Sequence, residues 1–244
     1  MLVRTTPPTE PLTITAAPLT RDAFASFGDV IANPRPASTP SNTAPAAITR
    51  GELPCGAVSA NQGTAIQYRA IASMRDLYSE APSGKAAGPR MTMFVCGARE
   101  LGGSGERNGV QIKVLERHPF TSQTFIPLTA DSSKRYLVVV APTLHPTPLD
   151  DGLPAPKDAG RGLPDVGRVL AFVATGDQAV TYAAGTWHAP MIALGPRDST
   201  VDFVVVQFAN DVPVEDCQEV ALEDGGKGEE VWVRVPEGRA LAKL

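Results

Sequence analysis

Cysteine, histidine and long hydrophobic runs are all scarce in this chain of 244 residues. The three cysteines, Cys55, Cys96 and Cys217, are odd in number and far apart. This excludes a disulfide framework and a Cys-x-x-Cys metal knuckle, and it indicates a reducing compartment. The longest strongly apolar runs, at 136–141 and 203–206, are far shorter than the ~18 residues of a membrane-spanning helix. The sequence therefore predicts no membrane partner.

Charge of one sign is not concentrated anywhere either. The 22 Lys and Arg residues against 26 Asp and Glu residues give a net charge of −4, without the basic patch of a nucleic-acid-binding protein. No apolar signal core follows the N-terminus, so an intracellular protein is expected. The C-terminal Ala242-Lys243-Leu244 is a conservative variant of the Ser-Lys-Leu peroxisomal address, with a chance match as the equal alternative. The expected location is cytoplasmic or peroxisomal.

Turn-forming residues, in contrast, are abundant, with 22 glycines and 23 prolines. They separate short β-rich runs, which predicts a mainly β fold built as a jelly roll or β-barrel with a few short peripheral helices. A doubly wound α/β fold is the weaker alternative, because the second half lacks helices of 10 to 15 residues between strands. The predicted strands are 91–96, 110–115, 124–128, 135–141, 169–174, 179–182, 200–208 and 230–235.

The chain is predicted to be one domain over 1–244. Residues 33–54 and 143–162 are rich in proline and small polar residues and read as loop insertions, and 236–244 reads as a C-terminal tail. A short helix is expected near the start, where Thr20 supplies a cap and Gly28 a stop.

Two of the three histidines lie in patterns that suggest chemistry. Alternation along 110–118 puts Val110, Ile112, Val114, Glu116 and His118 on one strand face, with Lys113 and Arg117 on the other. A carboxyl group and an imidazole would then lie at the mouth of an apolar interior, although an ordinary solvated strand end is somewhat favoured by the pattern alone.

His188 follows Trp187 at the entry to another predicted strand, where it either faces the same mouth or forms an ordinary rim pair with the indole. His145 lies in a proline-rich loop and is expected to be solvated. Asp202 shares a strand face with valines, so it is either paired at a site or exposed at a strand end. The loop at Asn61 suits either a polar ligand or a simple turn.

Several motifs, taken together and in order, resemble the ureidoglycolate lyase family. The resemblance covers residues ~12 to ~220, is highly specific as a set, and its insertions are similar to those of the longer, eukaryotic-type members. The motifs are Leu19-Thr-Arg-Asp-Ala-Phe-Ala-Ser-Phe-Gly-Asp-Val-Ile31, Asn61-Gln-Gly-Thr-Ala65, Leu115-Glu-Arg-His-Pro-Phe120, Gln123-Thr-Phe-Ile-Pro127, Pro164-Asp165, Arg168-Val-Leu-Ala-Phe172, Trp187-His-Ala-Pro190, Val201-Asp-Phe203 and Asp216-Cys217.

The resemblance implies a cupin-related jelly roll or β-barrel, a homodimer, and cleavage of (S)-ureidoglycolate to glyoxylate and urea in allantoin and purine catabolism. That reaction needs a base for the carbinol proton, an acid for the departing nitrogen, and groups that hold the carboxylate. The matched positions suggest His118 and His188 as acid and base, with Glu116 orienting one of them. Asn61, Arg117 and Gln123, together with Asp202 and Trp187, are the candidate substrate contacts. Alternation argues against Arg117 sharing the face of His118.

Metal chemistry is the main open point. Cupin metal sites usually carry His-x-His and a nearby Glu, whereas this chain has Glu116-Arg117-His118 and a single later His188. Catalysis by side chains is therefore expected, with a divalent metal held by His118, His188 and Gln123 as an option. The alternatives are a metal-dependent cupin isomerase or dioxygenase and a non-catalytic module that binds a small carboxylate.

Overall fold

The structure, a computed structural model, describes residues 2–5, 11–102, 109–157, 160–222 and 230–236, with 2–5 described as backbone alone. The C-terminal tripeptide 242–244 and nearly all of the predicted tail lie outside these residues. In the part of the chain described, no helix is long and apolar enough to cross a membrane. Cys55, Cys96 and Cys217 are free thiols, as their spacing predicts.

Strands dominate the described chain and the helices are short. The three α-helices are α1 (Arg21–Phe24), α2 (Pro45–Thr49) and α3 (Pro213–Asp216). The strands are β1 (Leu2–Thr5), β2 (Leu12–Thr15), β3 (Ala17–Pro18), β4 (Gly28–Ile31), β5 (Val58–Ala60), β6 (Ala65–Gln67), β7 (Gly88–Gly97), β8 (Val110–Ile112), β9 (Val114–Arg117), β10 (Gln123–Pro127), β11 (Arg135–Ala141), β12 (Leu170–Thr175), β13 (Ala179–Tyr182), β14 (Trp187–His188), β15 (Ile192–Leu194), β16 (Thr200–Ala209), β17 (Gln218–Leu222) and β18 (Val231–Arg234).

Helix α1 forms where the sequence places it. The Thr20 hydroxyl accepts a hydrogen bond from the backbone N–H of Ala23, and Phe24 is buried. The cap satisfies one of the free N–H groups of the first turn, and the aromatic ring anchors the helix on the sheet.

The strands form three layers, and the middle layer is a sheet of eight strands. This sheet has the order β1-β17-β9-β14-β11-β12-β3, with β15 also paired to β11. A five-stranded sheet, β4-β13-β10-β16-β7, faces one side of it, and a three-stranded sheet, β2-β18-β8, lies on the other side. Strands β5 and β6 form a separate hairpin. Within the described residues these ladders remain open and do not close into a barrel.

Both faces of the central sheet are buried. Tyr136 and Val138 contribute to the core shared with the five-stranded sheet, while Leu137 and Val139 contribute to the core on the opposite side. A strand covered on both faces has no polar alternation, which explains why β11 reads as a continuous apolar run.

All eight strands expected from the sequence are present, with boundaries shifted by a few residues. The expectation of one continuous face through 110–118 is wrong. The chain breaks at the exposed Lys113, so β8 pairs with β18 while β9 pairs with β14 and β17. Leu115, rather than Val114, therefore joins Val110 and Ile112 in one core.

Candidate active site

One row of side chains, paired across the central sheet, carries most of the titratable groups of the candidate site. Val140 pairs with His188, His188 with Glu116, and Glu116 with Glu219. Residues paired directly across strands point to the same face. Because Val140 lies in the core shared with the five-stranded sheet, His188 and Glu116 point between the two sheets. The alternation of Glu116 and Arg117 follows the sequence-based expectation.

The two site histidines are held through their Nδ1 atoms. His118 Nδ1 lies 2.6 Å from the Asp216 carbonyl oxygen, and His188 Nδ1 lies 2.9 Å from the Thr186 carbonyl oxygen. A carbonyl only accepts hydrogen bonds, so each neutral ring carries its proton on Nδ1 and leaves a lone pair on Nε2. Both Nε2 atoms are buried and lack a hydrogen-bond partner among the described residues.

Glu116, His118 and His188 form a compact group. His188 Nε2 lies 3.6 Å from Glu116 Oε1, and the two imidazole centroids are 5.6 Å apart. Tyr182, from the opposite sheet, stacks on His188 with 3.9 Å between ring centroids and 14° between planes. The stack fixes the His188 ring between the two sheets.

Burial shifts the protonation of this group toward the uncharged forms. Desolvation raises the pKa of Glu116 to about 7, with a smaller contribution from the charge of Glu219. Burial, followed by the neighbouring His118, lowers the pKa of His188 to about 3. The pKa of His118 is also lowered, mainly by burial. At neutral pH the imidazoles are therefore proton acceptors, and Glu116 is the group that titrates between its protonated and charged forms.

A second row, on the five-stranded sheet, faces the first. Its members are, in order across the sheet, Tyr182, Gln123, Gln207 and Arg90. Tyr182 pairs with Gln123 and Gln207 pairs with Arg90, and a side-chain hydrogen bond joins Gln123 to Gln207. Gln123 is 5% exposed, and its Nε2 donates a 2.7 Å hydrogen bond to Gln207 Oε1. The Gln123 Oε1 atom is buried and has no partner within the described chain. One wall of the site thus offers titratable groups and the other offers amides.

Arg117 and Trp187 lie on the reverse face of the central sheet. The fully buried Arg117 guanidinium donates to the carbonyl oxygens of Gly160 and Gly162 and lies 4.6 Å from the Trp187 ring centroid. Burial lowers the Arg117 pKa to about 10. Neither side chain points into the space that holds the histidines.

The other predicted positions are separate from the histidine cluster. Asp202 pairs with Val95 on the outer face of the five-stranded sheet, opposite to the face of Gln207. Asn61 is exposed in the turn between β5 and β6, where its backbone oxygen accepts hydrogen bonds from Thr64. His145 is exposed in its loop, as expected.

Sequence reasoning missed Gln207, Tyr182 and Asp216. Tyr182 ends β13, and its role depends on which strand faces it. Asp216 acts through its backbone carbonyl, which carries no sequence signal. Gln207 had a usable signal, because it is the polar residue among the inward-facing positions of β16, which are otherwise apolar.

Glu116, His118 and His188 also meet the geometric requirement for a divalent metal site. Their candidate ligand atoms lie within 4.8 Å of one another, and two of them are buried imidazole nitrogens with free lone pairs. Two histidines and one carboxylate are a donor set suited to several divalent transition metals. The residues therefore fit such an ion, with Glu116 in the position that the sequence assigned to Gln123.

Comparison with known proteins places this geometry in a family. The profile of the ureidoglycolate lyase family matches residues 11–228. The chain belongs to the ureidoglycolate lyase family. It is 34% identical to the ureidoglycolate lyase of Schizosaccharomyces pombe over 211 residues, covering 86% of this chain and 92% of the relative. It is 32% identical to that of Saccharomyces cerevisiae over 224 residues, covering 88% and 96%. A Burkholderia mallei ureidoglycolate lyase is 33% identical and covers 82% of this chain and 84% of its own. Membership rests on most of the chain, including every strand of the site.

Proposed function

We propose that this protein is a ureidoglycolate lyase that cleaves (S)-ureidoglycolate to glyoxylate and urea, a step of allantoin and purine catabolism. One observation supports this reaction beyond family membership. Two buried imidazole nitrogens with free lone pairs converge with a carboxyl group whose pKa is raised to about 7. Proton acceptors and a proton donor thus coexist in one site at neutral pH, as the reaction requires.

The reaction moves two protons and breaks one carbon–nitrogen bond. A base removes the carbinol hydroxyl proton, the oxygen electron pair forms the aldehyde C=O, and the C–N bonding pair leaves with the urea nitrogen. An acid then protonates that nitrogen. No oxidant or reductant takes part, so the atoms and electrons of ureidoglycolate are all found in glyoxylate and urea.

His118 and His188 share the acid and base roles in this proposal. Each imidazole is neutral near pH 7 and can accept the carbinol proton at Nε2. Glu116 supplies the proton that a neutral imidazole lacks, since its oxygen lies 3.6 Å from His188 Nε2. The Asp216 and Thr186 carbonyls keep both rings in the required tautomer.

Among the predicted substrate contacts, we propose Gln123, because it lies in the row that faces the histidines. Arg117 and Trp187 act from the reverse face by fixing β9 and β14. The positions of Asp202 and Asn61 favour structural roles. A divalent metal, if the enzyme uses one, would be held by Glu116, His118 and His188. It would supply Lewis-acid polarisation of a substrate oxygen.

For the whole chain we propose a cupin-related, double-sheet jelly roll that assembles as a homodimer. The support for the fold is the pair of facing sheets with a polar site between them. The support for the dimer is the apolar outer face of the five-stranded sheet, which carries Met91 (72% exposed), Met93 (60%) and Val95 (65%).

The decisive experiment measures glyoxylate release from racemic ureidoglycolate by the purified protein, with and without a chelator, and identifies the nitrogen product. We expect half of the racemate to yield glyoxylate and urea. Products lost on chelation and restored by added metal would make the histidines metal ligands. Ammonia in place of urea would indicate a hydrolase, and binding without turnover would indicate a binding module.

A further inference from the structure

The amide pair Gln123–Gln207 faces the histidines from the five-stranded sheet. Both residues have the inward parity of Phe125 and Val205, at the end of the apolar core where the polar row begins. In such a pair, the NH2 group of one amide donates a hydrogen bond to the carbonyl oxygen of the other. Gln123 uses one of its two polar atoms in this hydrogen bond, and the other atom is left for another partner.

The direction of this hydrogen bond decides which atom is left. Gln123 Nε2 donates to Gln207 Oε1 at 2.7 Å, so the carbonyl oxygen of Gln123 remains without a partner. A buried oxygen without a hydrogen bond is unfavourable in the free protein, and a bound donor removes that cost. Gln123 Oε1 is thus prepared for an N–H or O–H donor and repels a carboxylate.

The position of this oxygen relative to the reacting groups follows from the two facing rows. Tyr182 is the direct neighbour of Gln123 on β13, and Tyr182 stacks on His188. Gln123 is therefore one strand away from the ring that contacts His188. A substrate whose carbinol carbon lies at the histidines would place one end against Gln123.

We infer that Gln207 is a specificity-determining residue: it fixes the Gln123 amide so that its carbonyl oxygen binds the terminal NH2 of a ureido group. This inference rests on the proposed function. In the substrate, the terminal NH2 group offers two N–H donors to a carbonyl oxygen. The carboxylate only accepts hydrogen bonds and must bind elsewhere. Gln207 acts through Gln123 and is a positioning residue.

Two unreactive analogues isolate this contact. Ureidoacetate has the ureido group and the carboxylate without the carbinol hydroxyl, and N-acetylglycine replaces the terminal NH2 by a methyl group. Calorimetry on the purified protein measures both dissociation constants. The wild type is expected to bind ureidoacetate at least about tenfold more tightly, which corresponds to one buried hydrogen bond.

Three variants test the role of Gln207. Gln207→Leu removes the acceptor and should bring the ratio of the two dissociation constants close to one. Gln207→Glu keeps an acceptor for Gln123 Nε2 and should retain most of the preference. Gln67→Leu, at an exposed position of β6, is the matched control and should behave as the wild type. Thermal unfolding checks that each variant is folded.

An unchanged ratio in Gln207→Leu, or a wild-type ratio near one, overturns the inference, and so does a wild type that binds neither analogue. A purely structural role would weaken both analogues equally. The proposed function is scored separately by glyoxylate release from the wild type. If the wild type prefers ureidoacetate but releases no glyoxylate, the lyase function is contradicted and the recognition of the ureido group stands. If it releases glyoxylate but shows no preference, the lyase function stands and the recognition is contradicted.

Discussion

At the residue scale, folding transfers a proton between Glu116 and His188. In an unfolded chain a glutamate has a pKa of roughly 4.3 and a histidine roughly 6.5, so near pH 5.5 the carboxylate is charged and the imidazole is protonated. In the folded protein the order is reversed, with Glu116 at about 7 and His188 at about 3. The pair holds one proton in both states, only on a different residue.

Because of this transfer, the separate effects of Glu116 and His188 on the free energy of unfolding show a pH dependence only when one of the two residues is replaced. The lowered pKa of His188 contributes stability above pH ~6.5 that is lost as the pH falls. The raised pKa of Glu116 does the opposite, adding stability as the pH falls below about 7. In the wild type the two contributions largely cancel between pH 5 and 6.5, which leaves the effect of His118, whose pKa is also lowered by burial.

Glu116→Gln should therefore make the protein more sensitive to acid. Its free energy of unfolding should fall with an additional slope of roughly 1.4 kcal/mol per pH unit below pH 6. Urea titrations of chelator-treated protein at pH 7.0 and 5.5 measure this slope. His188→Gln serves as the opposite control, because it should gain stability relative to the wild type as the pH falls. Equal slopes in wild type and Glu116→Gln would contradict the reversed protonation.

His118→Ala removes a proton acceptor from the site. If His118 is a general acid or base, kcat should fall by roughly 10²- to 10⁴-fold. The fold should persist, since His118 lies after the end of β9 and its ring is held by one backbone carbonyl. Steady-state glyoxylate release together with thermal unfolding tests this. A loss of tenfold or less in kcat would remove His118 from the proton-transfer step.

The sequence predicts which site residues share a face of one strand, but it does not predict how different strands align with one another. Alternation from β9 into the residue that follows it places Glu116 and His118 on one face, because it depends only on neighbouring residues in the sequence. The pairing of Gln123 with Gln207, 84 residues apart, depends on how β10 and β16 align, and the sequence of either strand does not specify it. The stacking of Tyr182 on His188 depends on the approach of two sheets and is equally inaccessible.

At the scale of elements, the strands that carry the site are fastened from behind to the 143–162 segment. Arg117 binds the carbonyls of Gly160 and Gly162, the Trp187 indole N–H donates to Gly162, and Gln218 donates to Pro154. Each anchoring residue neighbours a site residue in sequence and points to the opposite face. The segment interpreted as an insertion from its composition is thus bound to the back of the site.

Arg117→Met should release this segment. Arg117 Nε also donates a 2.8 Å hydrogen bond to Gln218 Oε1. The Gly160 carbonyl and the Gln218 side chain would each lose this buried donor, and we expect a destabilisation of about 2 to 3 kcal/mol. Limited trypsin digestion should show faster cleavage after the exposed Lys157 and Arg161, followed by mass spectrometry. Lys113→Met, at an exposed position beside the same strand, is the control. Identical cleavage rates in both variants would show that Arg117 does not hold the segment.

The burial of Arg117 was not predictable from its own strand. A polar residue opposite Glu116 and His118 is expected to face water when a sheet has one covered face. Here the second face is covered as well, by the three-stranded sheet and by loop residues such as Leu153 and Leu163. The covering elements come from distant parts of the chain, so the short-range pattern contains no signal for them.

At the scale of the molecule, the outer face of the five-stranded sheet is the surface that we assign to the dimer. Strand β7 is ten residues long and forms the sheet edge among the described strands. Together with Ile126 and Leu128, its outward side chains form one exposed apolar face. Each partner in a standard protein–protein interface buries roughly 800 Å². Long apolar edge strands associate unless they are covered.

Met93→Lys should therefore convert a dimer to a monomer, because it places a charge in the centre of this face. Sedimentation velocity at several protein concentrations measures the change. Met74→Lys is the matched control, since Met74 is 51% exposed outside this sheet. A monomeric wild type would contradict the dimer, and a dimeric Met93→Lys would place the interface elsewhere.

The mainly β character was accessible from the turn residues and the short apolar runs, whereas the layering was not. Eight strands were located, but short ones such as β3 and β14, of two residues each, are too brief to carry a pattern. Which strands face each other depends on long-range pairing, which local composition does not report.

Strands β9 and β14 carry site residues on one face and anchoring residues on the other, and this limits how the protein tolerates insertions and deletions. A one-residue change of length within 115–118 would turn Arg117 toward the histidine cluster and Glu116 toward the apolar core, because strand side chains alternate. The same change at 187–188 would exchange Trp187 and His188. We therefore expect changes of length to be tolerated in connecting segments such as 33–54, whereas these two short strands must keep their residue count to keep either of their faces.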